Sequence, residues 1–211
     1  MRLYLASTSP ARLATLRAVG IEPVLLSSGV DEEAAVAAAE AERGSVLEPA
    51  ELVQLLARLK AEAVAATLGT TDALVLGGDS AFAFDGTTYG KPLEPAVALA
   101  RWYEQRGGTG VLFSGHHLID ARTGAGLGET ARASVRFAAD LADEELAAYV
   151  ATGEPLAVAG AFTVDGLAGP FIDRVEGDPS TVVGLSLSVL RRLVLRTGTP
   201  WTSLWNRATA L

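Results

Sequence analysis

The run Ser7-Thr8-Ser9-Pro10-Ala11-Arg12 has the make-up of an anion-binding helix start. A short apolar stretch, Leu3-Tyr4-Leu5-Ala6, leads into three small hydroxyl residues, a proline suited to the first helical position, and an arginine. Unpaired N–H groups in a helix's first turn, together with the positive end of its dipole, favour negative charge. Ser7, Thr8 and Ser9 add hydroxyl donors, and the Arg12 guanidinium fork matches phosphate oxygens. The plainer alternative makes Ser9 an ordinary helix cap and Arg12 a solvated charge. A Walker loop is absent, since no Gly-rich segment ends in Lys-Ser or Lys-Thr.

Carboxylates and lysines supply the other half of the chemistry. Asp79 follows the apolar run Ala73-Leu74-Val75-Leu76 and two glycines, which places it at a strand's C-terminal edge, where open α/β sheets bind ligands. A carboxylate there can hold a divalent cation or take a proton from attacking water; it can equally be a turn aspartate. Lys60, projected at about 100° per residue, falls beside Val53, Leu56 and Val64, while Arg58 and Glu62 fall on the polar arc. Such a lysine either snorkels outward or reaches a buried anion. Lys91, between Gly90 and Pro92, follows a hairpin that returns the chain toward Asp79, so it either joins the site or pairs with Asp79. Asp31-Glu32-Glu33 is a source of metal ligands or a solvated acidic cluster. Ser114-Gly115-His116-His117 alternates in a strand, so one histidine should face inward, as a core histidine with satisfied hydrogen bonds. Together these groups suit hydrolysis of a phosphoanhydride, in which cations stabilise phosphate oxygens and a carboxylate positions water.

The elements that position them alternate between strand and helix, which predicts an α/β fold. Strands are expected at 2–6, 21–27 and 73–76, near 110–120 and 128–137, and at 171–175. A hairpin is expected over 81–90 with Asp85-Gly86 at its turn, and one or two short strands within 159–170. Helices are expected from Pro10 to Val19, closed by Gly20, and over 49–68, 95–105 and 185–196, with another capped by Asp143 and running to Val150. The Ala/Glu-rich segment 31–48 reads as a short helix or a loop. Trp201 and Trp205 read as packing on the body, with a partner contact as the alternative. No repeat or linker interrupts the chain, so residues 1–211 read as a single unit.

Bulk composition narrows the function. The 211 residues are 49% hydrophobic and 20% charged, with a net charge of −8 and no cysteine. Lack of cysteine excludes disulfides and thiol chemistry. The acidic balance argues against broad binding to nucleic acid, which rests on many Lys/Arg contacts to phosphates. No apolar run reaches the roughly 18 residues of a membrane span. The N-terminus lacks a signal peptide's apolar region, so a cytoplasmic protein without membrane contact is expected.

With these motifs in hand, the chain resembles the Maf-type nucleoside triphosphate pyrophosphatases. The resemblance rests on Leu5-Ala-Ser-Thr-Ser-Pro-Ala-Arg12, Val30-Asp-Glu32, Gly78-Asp-Ser80, Gly90-Lys-Pro92 and Tyr149-Val-Ala-Thr-Gly-Glu-Pro155. The tail from Ala159-Gly160-Ala161-Phe162 through Val183-Gly184-Leu185 follows in order. It implies a bent mixed β-sheet flanked by helices, with two lobes around a cleft, in a family often homodimeric. It also implies hydrolysis of a nucleoside triphosphate to the monophosphate and pyrophosphate with a divalent cation, Mg²⁺ or Mn²⁺. Asp79 then matches the general base, Ser7, Arg12, Lys60 and Lys91 the substrate-binding residues, and Glu32 a metal ligand. Three positions depart from the family pattern: Ala11 and Val158 stand where many relatives carry a cation, and Val164-Asp165-Gly166 where many read Ile-Gln-Gly. A less positive pocket keeps a second function open, that of a catalytically weak nucleotide-binding regulator of cell division.

Overall fold

A computed structural model describes residues 1–207. Strand β1 (Arg2–Ala6) leads through the Ser-rich turn into helix α1 (Pro10–Ala18), where Ser9 Oγ accepts from the Arg12 N–H and Pro10 occupies the first turn. A two-residue strand, β2 (Val24–Leu25), follows, far shorter than the expected 21–27. The segment read as a helix or loop holds a twelve-residue helix, α2 (Glu32–Arg43), capped by the Asp31 carboxylate and closed by Gly44 at φ 77°. Helix α3 (Pro49–Leu68) has its predicted bounds.

The main revision concerns the next strand. Strand β3 (Ala73–Phe84) does not stop at Leu76 but runs twelve residues straight through Gly77-Gly78-Asp79-Ser80. Asp79 therefore lies in mid-strand, not at a C-terminal edge. Gly77 serves helix packing, as does Gly115: a Cβ on Gly77 would stand 2.0 Å from the Ala57 carbonyl, and one on Gly115 2.2 Å from the Val53 carbonyl, whereas one on Gly78 would meet Arg12 on the other face. Glycine at both positions lets α3 press against the sheet. The hairpin forms as predicted, with β4 (Thr87–Tyr89) returning through Asp85 and Gly86, both at positive φ.

Helix α4 (Pro95–Gln105), strands β5 (Thr109–Asp120) and β6 (Ala125–Phe137), and helix α5 (Asp143–Ala151) complete the middle of the chain. Ala142, not Asp143, is the cap residue of α5; its N–H is taken by the Glu145 carboxylate. The tract 159–170 holds no strand. It contains 3₁₀ turns at Ala159–Ala161 and Gly169–Phe171, after another at Glu154–Ala157. The expected last helix forms as α7 (Leu187–Arg196), preceded by a short helix the sequence did not suggest, α6 (Pro179–Val183), with Gly184 at φ 106° between them. Strand β7 (Ile172–Glu176) lies just before them.

The result is a mixed seven-stranded sheet flanked by helices, ordered β2-β1-β3-β5-β6-β7, with β4 also on β3. β1 runs parallel to β2 and β3; all other pairs are antiparallel. Alternation along β3 divides the core. Val75 packs with Ala61 and Val64 under α3. Leu74 and Leu76, pointing the other way, join Leu16, Leu185, Leu190 and Leu193 from α1 and the α7 region. Phe82, further along that side, belongs to an aromatic cluster with Trp102, Phe137 and Phe162. Trp201 packs against the leucine cluster as expected, whereas Trp205 is exposed. Among the described residues, no helix is long and apolar enough to cross a membrane.

Candidate active site

The sheet contains a notch. Its register leaves β1 at Ala6 opposite Gly77, and β4 joins the same edge only at Phe82 opposite Tyr89. Between them, Gly78 to Ala81 pair with β5 on one side and with no strand on the other, among the described residues. α1 begins immediately after β1, so its N-terminus starts beside this gap.

Asp79 and its neighbours form a tight charged cluster. Tight docking of α3 carries Lys60 to the sheet, where it is only 7% exposed. Its Nζ donates to Asp79 Oδ1 at 2.8 Å and pairs with Glu32 Oε1 at 2.8 Å. The lysine therefore reaches buried anion rather than snorkelling. The two carboxylate oxygens can stand no farther apart than twice that length. Asp79's side chain is 15% exposed and Glu32's 49%, so the pair opens toward solvent on the Glu32 side. The acidic trio divides its work: Asp31 caps α2, Glu32 turns to Lys60, and Glu33 stays exposed.

Arg12 lies on the opposite face of β3. Its Nε donates to the Gly184 carbonyl at 2.8 Å, Nη1 to Ser7 Oγ at 3.1 Å and Nη2 to Ser80 Oγ at 2.9 Å. Ser80 Oγ meets Ser114 Oγ, which donates to the Thr181 carbonyl. At 8% exposure Arg12 is not a solvated charge. Burial lowers its pKa, and the charges of Asp79 and Glu32 partly offset that cost, which places all three in one electrostatic neighbourhood. Three of its five N–H groups are already used within the protein.

Lys91 is brought near but not joined. β4 ends at Tyr89 opposite Phe82, so the chain leaves the hairpin heading along β3 toward Ser80 and Asp79. Lys91 is exposed and forms no ion pair among the described residues, so the suggested pairing with Asp79 does not occur. His116 is the predicted core histidine: its Nε2 accepts from the Ser186 N–H at 2.9 Å and its Nδ1 meets the Glu129 carbonyl at 3.3 Å. Burial pushes its pKa down to about 4 and keeps it neutral. Of the departures, Ala11 and Val158 are half-buried and Asp165 is exposed.

Two features escaped sequence reasoning. Ser80 anchors Arg12, and strand alternation around Asp79 was the signal, because adjacent residues serve opposite faces. Glu154 accepts from Tyr149 Oη, the Thr163 hydroxyl and the Leu167 N–H, tying the 3₁₀ tract together. A further signal lay in composition: Lys60 and Lys91 are the sequence's only two lysines.

A divalent cation fits this donor set in one specific way. Among the described residues no group of three or more His, Cys, Asp or Glu side chains converges. Asp79 and Glu32 offer two hard oxygen ligands, which suits Mg²⁺, a cation that keeps several waters and completes its shell with substrate phosphates.

Comparison with known proteins identifies the family. The sequence model of the family described as Maf-like protein matches residues 2–197. A protein of Leifsonia xyli subsp. xyli called nucleoside triphosphate pyrophosphatase is 66% identical, covering 99% of this chain and 98% of its own. Proteins of the same name from Salinispora tropica and Streptomyces coelicolor are 53% and 50% identical, covering 100% and 97% of this chain and 90% and 94% of theirs.

Proposed function

The chain belongs to the Maf-like protein family, and from that membership we propose that it hydrolyses a nucleoside triphosphate to the nucleoside monophosphate and pyrophosphate. The observation that carries the reading is Lys60 held between Asp79 and Glu32 at the notch beside the start of α1. The relatives' shared name supports the substrate class.

Asp79 is the general base. Lys60 fixes its Oδ1, which leaves Oδ2 to accept a proton from the attacking water. The water oxygen bonds to the α-phosphorus as the bond to the α,β-bridging oxygen breaks, and pyrophosphate leaves with that electron pair. Glu32 would hold a divalent cation, which when bound neutralises charge on the phosphate oxygens. Lys91, with no internal partner, binds the terminal phosphates, and the N–H groups of α1's first turn add donors. Arg12 supports this surface chiefly from beneath, by fixing Ser7 and Ser80. A cytoplasmic location and a homodimer belong to the same proposal.

The test is pyrophosphate release by the purified protein from a panel of ordinary and modified nucleoside triphosphates with Mg²⁺ or Mn²⁺. Release that stops when a chelator is added supports the reading. Binding of triphosphates without release under either metal supports the regulator instead.

A further inference from the structure

Lys91 leaves β4 on a four-residue strap, Gly90-Lys91-Pro92-Leu93, whose course is imposed from outside. Arg101 of α4 donates from Nη1 to the Gly90 carbonyl at 2.7 Å. At the other end, the Leu93 N–H donates to the Leu156 carbonyl at 3.0 Å. Leu93 itself sits at φ 62°, a left-handed conformation that a leucine rarely adopts. The residue is 68% exposed, so burial of its side chain does not account for the backbone.

Arg101 is well placed to set this path. Its guanidinium lies 4.8 Å from the Tyr89 ring centre, and Tyr89 Oη donates to Glu104 Oε2 at 2.7 Å. The arginine is thus stacked on the last residue of β4 and fixed relative to α4. The Gly90 carbonyl and the Lys91 N–H belong to one planar peptide, so a bond to the carbonyl fixes the plane from which the Lys91 side chain departs. Pro92 adds a second restriction by disfavouring helical angles at Lys91.

We propose that Arg101 is a positioning residue that presets the Lys91 arm for the triphosphate. The inference rests on the function proposed above. A lysine whose backbone is already in place loses less freedom when it closes on a phosphate, and the gain appears as affinity. Arg101 touches neither substrate nor the reacting atoms; it acts through Lys91.

The test is a cycle of Arg101→Ala, Lys91→Ala and the double variant, with Arg101→Lys as the conservative control, read by KM and kcat for pyrophosphate release. Arg101→Ala should raise KM about tenfold with kcat nearly unchanged, and Arg101→Lys should recover part of that loss. In the Lys91→Ala background, Arg101→Ala should add less than about twofold, because its effect passes through the lysine. A general structural role would instead act equally in both backgrounds, and that result overturns the inference.

Amide hydrogen exchange in the ligand-free protein supplies a readout that needs no turnover. Exchange at Leu93, whose N–H donates to the Leu156 carbonyl, should rise about tenfold in Arg101→Ala as the strap loosens. Unchanged exchange overturns the inference whatever the kinetics show. A wild-type protein that releases no pyrophosphate while exchange responds as expected would overturn the proposed function and leave Arg101's hold on the strap standing.

Discussion

The chain's two lysines are fixed in opposite ways. Lys60 is buried, bonded to two carboxylates and carried by a helix whose backbone lies close against the sheet at Gly77 and Gly115. Lys91 is exposed, has no ionic partner among the described residues, and rides on a strap that Arg101 and Leu156 hold at its ends. The difference separates two jobs that one charge cannot do at once. An ammonium committed to Asp79 and Glu32 orients the carboxylates and is spent on them. An ammonium without a partner is available to a phosphate. A protein that uses arginine for every other cation keeps lysine at these two places, where a compact charge rather than a planar fork is wanted.

The contrast breaks first at Lys60. Lys60→Met leaves two carboxylates facing each other without their cation. Pyrophosphate release should fall by about a thousandfold or more, since charge arranged for the transition state is lost. Stability, measured by urea unfolding, should fall by about 1–3 kcal/mol, part of it the cost of an unpaired carboxylate. Stability and turnover both close to wild type would mean that the pair is not organised by Lys60.

A gentler measurement sharpens the same contrast without a mutation. An amine-reactive label followed by peptide mass spectrometry should modify Lys91 about a hundredfold faster than Lys60, in line with the protection that burial and pairing give a native group. Adding a triphosphate should slow labelling at Lys91 and leave Lys60 unchanged. Equal rates at the two positions would remove the distinction.

Legibility from sequence followed the range of the forces involved. Helix α3 and the placement of Lys60 were readable because helical periodicity is local: Val53, Leu56 and Val64 mark the buried arc, and Lys60 falls inside it. The hairpin was readable for the same reason, since Asp85-Gly86 suits its turn. Gly77-Gly78 misled, because glycine after an apolar run signals either a strand's end or a close approach, and the Ala57 carbonyl that decides between them is twenty residues away. The tract 159–170 misled similarly. Its 3₁₀ turns are held by Glu154, whose carboxylate gathers Thr163 and Leu167 from outside the local pattern. Arg12 was found together with its neighbour Ser7 but not in its full setting: the Ser80 hydroxyl and the Gly184 carbonyl that also occupy its fork come from two distant segments.

One measurement bears on Asp79 as the base more directly than any other: pyrophosphate release by Asp79→Asn, paired with its affinity for a non-hydrolysed triphosphate analogue. Asparagine keeps the size and the contact with Lys60 but cannot take the water's proton. Affinity should stay within about threefold of wild type while release falls by about a thousandfold, the scale expected for loss of a general base. Release within tenfold of wild type would contradict the assignment.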